Sequence, residues 1–296
     1  MADSIINAKN IDEADVVILS VPFEKTVSSR GGTKNGPNAI VKMLDSKLEL
    51  FDRTYKTEPA SKIKIGQKDL GDISLLSPEN ALIKITAECG EILEKNKFIF
   101  LLGGEHSVSL GLLQAISRKT SSKEVTILQI DAHCDLRDSD ADYSDKPTKF
   151  AHSAVMRRAH ELGYNLVQVG IRTYSKDEYN YFSNTKNNIK VWQWGNGKKV
   201  PSINEIIKSI KTKYVYITID VDGFDPSYMP GTGTAVQGGL EWWYGVELIE
   251  RVIDQKEIIG ADIVEVSPMR DSILTEYGAA QLCYTIIAHK FRSKLK

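Results

Sequence analysis

The stretch VTILQIDAHCD, residues 125–135, decides how the rest of the chain is read. Its first six residues, Val125–Ile130, form a β-rich, mostly apolar run of the kind buried on both faces of a sheet. Its last five place Asp131, His133 and Asp135 at alternate positions directly beyond that run. In extended backbone, residues two apart point the same way. The spacing therefore predicts two carboxylates and an imidazole on one face, with Ala132 and Cys134 turned away. That donor set suits a metal ion, and it sits where open α/β sheets keep their sites, at the carboxyl end of a strand. Cys134 is expected to be a buried, inert thiol.

The design recurs on either side. ITIDVDGFDP, residues 217–226, continues the run Tyr214–Ile219 and puts Asp220 and Asp222 on one face. Two carboxylates so close raise each other's pKa and destabilise the fold unless a cation neutralises them. LLGGEHS, residues 101–107, closes the run Phe98–Leu102 and delivers His106. Asp15–Val21, Lys62–Ile65, Leu166–Ile171, Ile189–Trp192 and Ile258–Val264 complete a set of eight such runs.

Helical segments fill the gaps. Ser77-Pro78 reads as an N-cap followed by proline at the first helical position. Ser202–Glu205 is a capping box opening Ile203–Lys211, and Glu276–Arg292 is a long closing helix. Lys290, Arg292, Lys294 and Lys296 at its end complement the negative pole of a helix C-terminus. Sustained strand–helix alternation predicts an α/β fold around a mainly parallel sheet. With no internal repeat and no proline-rich linker, residues 1–296 are expected to form one domain. Met229–Gly239, rich in Pro and Gly, reads as a site loop. Trp242-Trp243-Tyr244 is assigned to core or subunit interface, and His289 to structure.

Composition closes off several function classes. The 38 Lys+Arg and 39 Asp+Glu of the 296 residues nearly cancel, giving −1, without the basic excess of a nucleic-acid binder. The longest apolar stretches are strand-sized, too short to span a membrane. Three scattered cysteines, Cys89, Cys134 and Cys283, make no disulfide framework and suit a reducing compartment. No basic n-region precedes an apolar core near the N-terminus, so no signal peptide is expected there. A cytoplasmic protein is the expectation, binding neither nucleic acid nor membrane.

His106, Asp131, His133, Asp135, Asp220 and Asp222 are too many donors for one tetrahedral zinc site. An oxygen-rich shell of this kind favours Mn²⁺ or a similar hard ion. Two such ions sharing carboxylates, about 3.5–4 Å apart, can activate a water between them. The residues alone imply a binuclear metallohydrolase.

GGEHS, DAHCD and DVDGFDPSYMPGTGT, in this order, resemble the arginase/agmatinase (ureohydrolase) family. The resemblance runs from Arg30-Gly31-Gly32 through Asp69-Leu70-Gly71-Asp72 to Ile263–Pro268. It implies a three-layer α/β/α sandwich around an eight-stranded parallel sheet. It also implies two Mn²⁺ per chain, one held by His106, Asp131, Asp135 and Asp220. The other would be held by His133 and Asp222 with Asp131 and Asp220 shared. By the same resemblance His152 would shuttle protons, Glu265 would receive a substrate guanidinium, and the chain would assemble as a homotrimer or homohexamer. Asp135 could also position the attacking water. Glu105 stands where many members have Asp, Ala235 and Gln237 depart from the usual loop, and Ser267 replaces a common Asn.

Arginases resemble one another in an Asn-Thr pair and a Ser-Gly-Asn stretch that bind the substrate's α-carboxylate and amine. Residues 136–145 here have neither. Asp138, Asp140, Asp142 and Asp145 form an acidic loop expected to attract an amine, with Arg137 as the counter-indication. The expected reaction is agmatine to putrescine and urea, in polyamine biosynthesis. The alternatives are an arginase or other guanidino-acid ureohydrolase and, from another class, a catalytically inactive metal-binding subunit.

Overall fold

The computed structural model describes residues 4–184 and 186–295. Eight strands form one sheet: β1 Val16–Val21, β2 Ile65–Asp69, β3 Phe98–Gly103, β4 Val125–Ile130, β5 Asn165–Ile171, β6 Ile189–Gln193, β7 Tyr214–Asp220 and β8 Glu257–Val264. Their order is β2-β1-β3-β8-β7-β4-β5-β6, and every pairing is parallel. Parallel strands need crossovers, and helices supply them: α1 Gly36–Ser46, α2 Pro78–Glu94, α3 Ser109–Ser117, α4 Val155–Glu161, α5 Lys176–Phe182, α6 Ile203–Ser209, α7 Trp242–Gln255 and α8 Leu274–Lys290.

Alternation along each strand feeds two separate cores. Ile18, Leu128 and Ile217 pack with Ile40 of α1, Leu248 of α7 and Ile286 of α8. Leu19, Ile127 and Tyr216 pack with Ile85 of α2, Leu112 of α3 and Met156 of α4. The result is the α/β/α sandwich expected from the sequence.

One expected strand is displaced. The run Lys62–Ile65 predicts β2 three residues too early; the strand begins at Ile65 and continues through Gly66, Gln67 and Lys68 to Asp69. As an edge strand it has one unpaired side, so its outer half stays polar and the apolar signal ends where pairing starts. The last helix spans Leu274–Lys290 rather than Glu276–Arg292. Arg292 lies just beyond it and donates to the carbonyls of His289 (3.0 Å) and Ile253 (3.3 Å), capping the ends of α8 and α7. Lys294 pairs with Asp15, and Lys296 lies outside the described residues. Of the aromatic triplet, Trp242 packs on Phe224 and Tyr244 on Trp194, while Trp243 is exposed. No described helix is long and apolar enough to cross a membrane.

Candidate metal centre

Strand order explains how distant residues meet. β3, β8, β7 and β4 are consecutive in the sheet, and their carboxyl ends carry His106, Glu265, Asp220 and Asp131 respectively. The loops after β4 and β7 touch closely at Gly223, where a Cβ would lie 2.6 Å from the Asp131 amide nitrogen. Any larger residue there would push the two acidic loops apart.

Two clusters result, one of His106, Asp131 and Asp135, the other of Asp131, His133 and Asp222. Asp131 belongs to both. Its Oδ2 lies 3.3 Å from His106 Nδ1 and its Oδ1 lies 3.6 Å from His133 Nδ1. Asp135 Oδ2 is 2.9 Å and Asp220 Oδ2 3.6 Å from His106 Nδ1, and Asp222 Oδ2 is 3.1 Å from His133 Nδ1. All six predicted donors therefore meet at one place, although Asp220 falls outside both close groups. Backbone amides hold the carboxylates: Asp222 accepts from Ala132 N (3.0 Å), Asp220 from Asp222 N (2.9 Å) and Asp131 from His133 N (2.6 Å). Thr234, in the Pro/Gly-rich loop, donates to Asp222 Oδ2 at 3.1 Å.

Two-residue alternation directs the side chains as far as His133, and left-handed backbone takes over beyond it. Asp135 has φ +52 and Glu265 φ +64. Aspartate tolerates the left-handed region; glutamate there stores of order 1–3 kcal/mol. Such strain persists where the surroundings over-determine it, and here the Glu265 amide donates to Gly104 O at 2.8 Å while its carboxylate accepts from His106 N at 2.7 Å.

The electrostatics ask for positive charge. Burial pushes the His106 imidazole down, but the adjoining Asp131 and Asp135 override it and raise it well above its ordinary value. His133 is raised likewise, against its burial, by Asp222 and Asp131. Burial, with the charges of Asp222 and Asp131, pushes Asp220 well above the carboxylate range. His106 Nδ1 is buried without a hydrogen-bond partner even though three carboxylates face it. A cation between ring and carboxylates satisfies the orphaned nitrogen and removes the like-charge repulsion, so the residues present fit a metal.

A cavity of about 290 Å³ opens onto this floor, lined by residues that include His133, Asp135, Asp220, His152, Arg137, Tyr143, Tyr174 and Glu178. His152 Nδ1 lies 3.8 Å from Glu265 Oε1. Burial, helped by the positive rings of His133 and His106, lowers His152 to about 4. At neutral pH its ring is therefore uncharged. Glu105 accepts from the Lys25 and Thr26 amides at 2.6 and 2.7 Å and from the Thr26 hydroxyl at 2.7 Å. The Thr26 hydroxyl in turn accepts from His152 N at 3.0 Å. The longer side chain at 105 thus reaches through Thr26 to seat His152.

The acidic loop does not do what its sequence predicts. None of Asp138, Asp140, Asp142 and Asp145 lines the cavity. Asp138 pairs with Arg158 at 3.0 Å, Asp140 accepts from Thr148 N at 2.6 Å, and Asp142 pairs with Arg137. The cavity carboxylate at this end is Glu178, which sequence reading missed. Its signal was available in Ser175-x-x-Glu178, a second capping box. Arg172 was missed too, a lone cation after the apolar run of β5. It donates to the carbonyls of Asp222 (2.6 Å) and Val236 (2.7 Å), tying the Asp222 turn to the Pro/Gly-rich loop. Cys134 is buried, and burial raises its thiol well above the ordinary value, as expected for an inert side chain.

Comparison with known proteins agrees with this architecture. The model of the Arginase family matches residues 14–289. The N(1)-aminopropylagmatine ureohydrolase of Synechocystis sp. is 34% identical over 289 residues, 96% of this chain and 92% of that protein. The agmatinase of Bacillus subtilis is 33% identical over 267 residues, 88% of this chain and 86% of that one. The solved agmatine ureohydrolase of Thermoplasma volcanium superposes with a TM-score of 0.82 at 30% identity, over 99% of this chain and 95% of that chain. A parallel sheet carrying two carboxylate-sharing clusters, matched in family over nearly its whole length, places the chain in the arginase family, hydrolases of guanidino compounds.

Proposed function

We propose that the chain hydrolyses the guanidinium of a linear alkylguanidine bearing a second cation, agmatine to putrescine and urea in the first instance. Two Mn²⁺ would be held by His106, Asp131, His133, Asp135, Asp220 and Asp222. The observation that carries this reading is the division of Asp131 between two imidazoles, with the Glu265 carboxylate beside them. When bound, such a metal pair supplies a water acidic enough to yield hydroxide near neutral pH.

The chain's own groups do the rest. Glu265, pinned by the His106 amide, receives the planar guanidinium through charge-assisted hydrogen bonds and fixes its carbon over the floor. Burial raises Glu265 well above the carboxylate range, and the incoming cation restores its ionised form. Asp135 orients the attacking water. His152, neutral at rest, takes a proton at one ring nitrogen and passes it to the departing amine, which leaves only when protonated. At the far end Glu178 and Tyr174 receive the second cation beside Arg137, which lies 4.0 Å from Glu178 and over the Tyr143 ring and pairs with Asp142.

The Synechocystis relative and the aromatic mouth support a second reading, N1-aminopropylagmatine, whose longer tail would extend past Tyr174. The chain is proposed to be cytoplasmic and to work in polyamine biosynthesis, as one unit assembled into trimers or hexamers. The test is kcat/KM for agmatine, N1-aminopropylagmatine, arginine and 4-guanidinobutyrate on manganese-loaded protein. One of the two polyamine substrates should lead, with both carboxylates at least about 10²-fold behind. Parity for arginine or guanidinobutyrate overturns the substrate assignment and makes Arg137 a carboxylate partner.

A further inference from the structure

Four central strands carry a buried polar side chain at the same level of the sheet: Gln168 in β5, Gln129 in β4, Thr218 in β7 and Asp262 in β8. Register sets them side by side. Gln129 lies opposite both Gln168 and Thr218, and Thr218 lies opposite Asp262. All four are 0% exposed. Asp131 and Asp220 follow Gln129 and Thr218 by two residues, so the row lies one pleat beneath the candidate ligands on the same face. A buried polar group left unpaired costs about 1–3 kcal/mol, so a row of four is not there by default.

Its hydrogen bonds form two chains that run towards the floor. At one end Gln168 donates to Gln129, and Gln129 Nε2 donates to Asp131 Oδ2 at 2.6 Å. At the other, Tyr216 and Thr218 both donate to Asp262, the latter at 2.6 Å, and Thr218 Oγ1 lies 2.8 Å from His106 Nε2. Direction follows from valence. Both Asp262 oxygens are taken by hydroxyls, Oδ2 by Tyr216 and Oδ1 by Thr218, so Thr218 gives its one proton there and has only lone pairs to offer His106. In its neutral, metal-binding form His106 must then carry its proton on Nε2, which leaves Nδ1 bare to act as the ligand atom. His133 has no counterpart: no hydrogen bond reaches its Nε2 among the described residues, and its side chain is 30% exposed.

We propose that this row is a positioning layer whose two halves act on different parts of the metal centre. Asp262 and Thr218 set the tautomer of His106 and so govern one ion. Gln168 and Gln129 orient the shared Asp131 and so govern both. The inference rests on the two-ion reading above.

The test titrates metal-stripped protein with Mn²⁺, reading bound metal by equilibrium dialysis and the coupling of the ions by electron paramagnetic resonance. Wild type should bind two ions with a coupled spectrum. Partners behind a metal ligand typically contribute about 10- to 100-fold in affinity. Thr218→Val should lose that much at one ion only and give the spectrum of an isolated ion. Thr218→Ser, which keeps the hydroxyl, should restore both. Gln129→Leu should weaken both ions. Two unchanged affinities in Thr218→Val, or equal losses at both ions, overturn the proposal. Fewer than two ions in wild type overturns instead the two-ion reading beneath it. Should Thr218→Val not fold, ¹⁵N-histidine spectra of wild type loaded with diamagnetic Zn²⁺ decide: a proton on Nε2 of His106 is expected, and one on Nδ1 refutes the assignment.

Discussion

The floor of the cavity and its mouth are made by opposite means. The floor hangs on the ends of four adjacent strands, so sheet register brings the donors together and alternation directs Asp131, His133, Asp220 and Asp222. The mouth is made by the loop 136–150 and the start of α5, where no lattice of backbone bonds dictates direction. There the charges find local partners: Asp140 a backbone amide, Asp138 and Asp142 arginines, and Glu178 the amides of Leu136 and Ser175. Charge on a strand end is directed by the fold, whereas charge on a loop is free to neutralise itself.

The largest effect that would test this contrast lies in the floor. Asp131→Ala should lose both ions and all turnover, because one carboxylate faces both imidazoles; metal analysis with wild-type occupancy of either ion would break the comparison. Next is His152→Phe, which removes no ligand. Manganese content should hold while kcat falls by about 10²–10⁴, and an unchanged rate would move the proton shuttle elsewhere. The same variant has a stability signature. Burial lowers His152 from 6.5 to about 4, so between these pH values the unfolded chain binds a proton that the folded ring refuses. Wild-type stability must fall as pH drops through that window, and His152→Phe should show a shallower fall in denaturant titrations at pH 7 and 5. The smallest effect belongs to the mouth. Glu178→Gln can keep the capping bond from the Ser175 amide but removes the charge and the acceptor for the Leu136 amide, and should raise KM for agmatine about tenfold, roughly 1.4 kcal/mol, with kcat nearly constant. A large loss of kcat would mean that the mouth is as tightly built as the floor.

Sequence legibility divides along the same line. The central strands and Asp131, His133, Asp220 and Asp222 could be read because apolar runs end in polar residues at strict spacing. β2 could not be placed to the residue, since an edge strand lacks the second neighbour that would make it apolar throughout. Asp135 reaches the cluster through a left-handed residue that alternation does not foresee. The acidic loop misled because composition reports charge and not its partners. Gln129, Gln168, Thr218 and Asp262 were visible as polar interruptions, but their meaning depends on register between strands up to about a hundred residues apart, which no local pattern encodes.

The position of β8 has a consequence for how the protein comes into being. Without that strand the sheet separates into β2-β1-β3 and β7-β4-β5-β6, and no strand of one pairs with a strand of the other. His106 belongs to the first half, and Asp131, His133, Asp135, Asp220 and Asp222 belong to the second. As a ribosome feeds out the chain, every donor is synthesised before Glu257, yet no strand pairing joins the two halves until β8 lies between β3 and β7. The β3–β8 pairing is the non-local contact that completes the sheet under the donor set, so a chain cut before Glu257 is expected to bind Mn²⁺ more weakly than the whole protein.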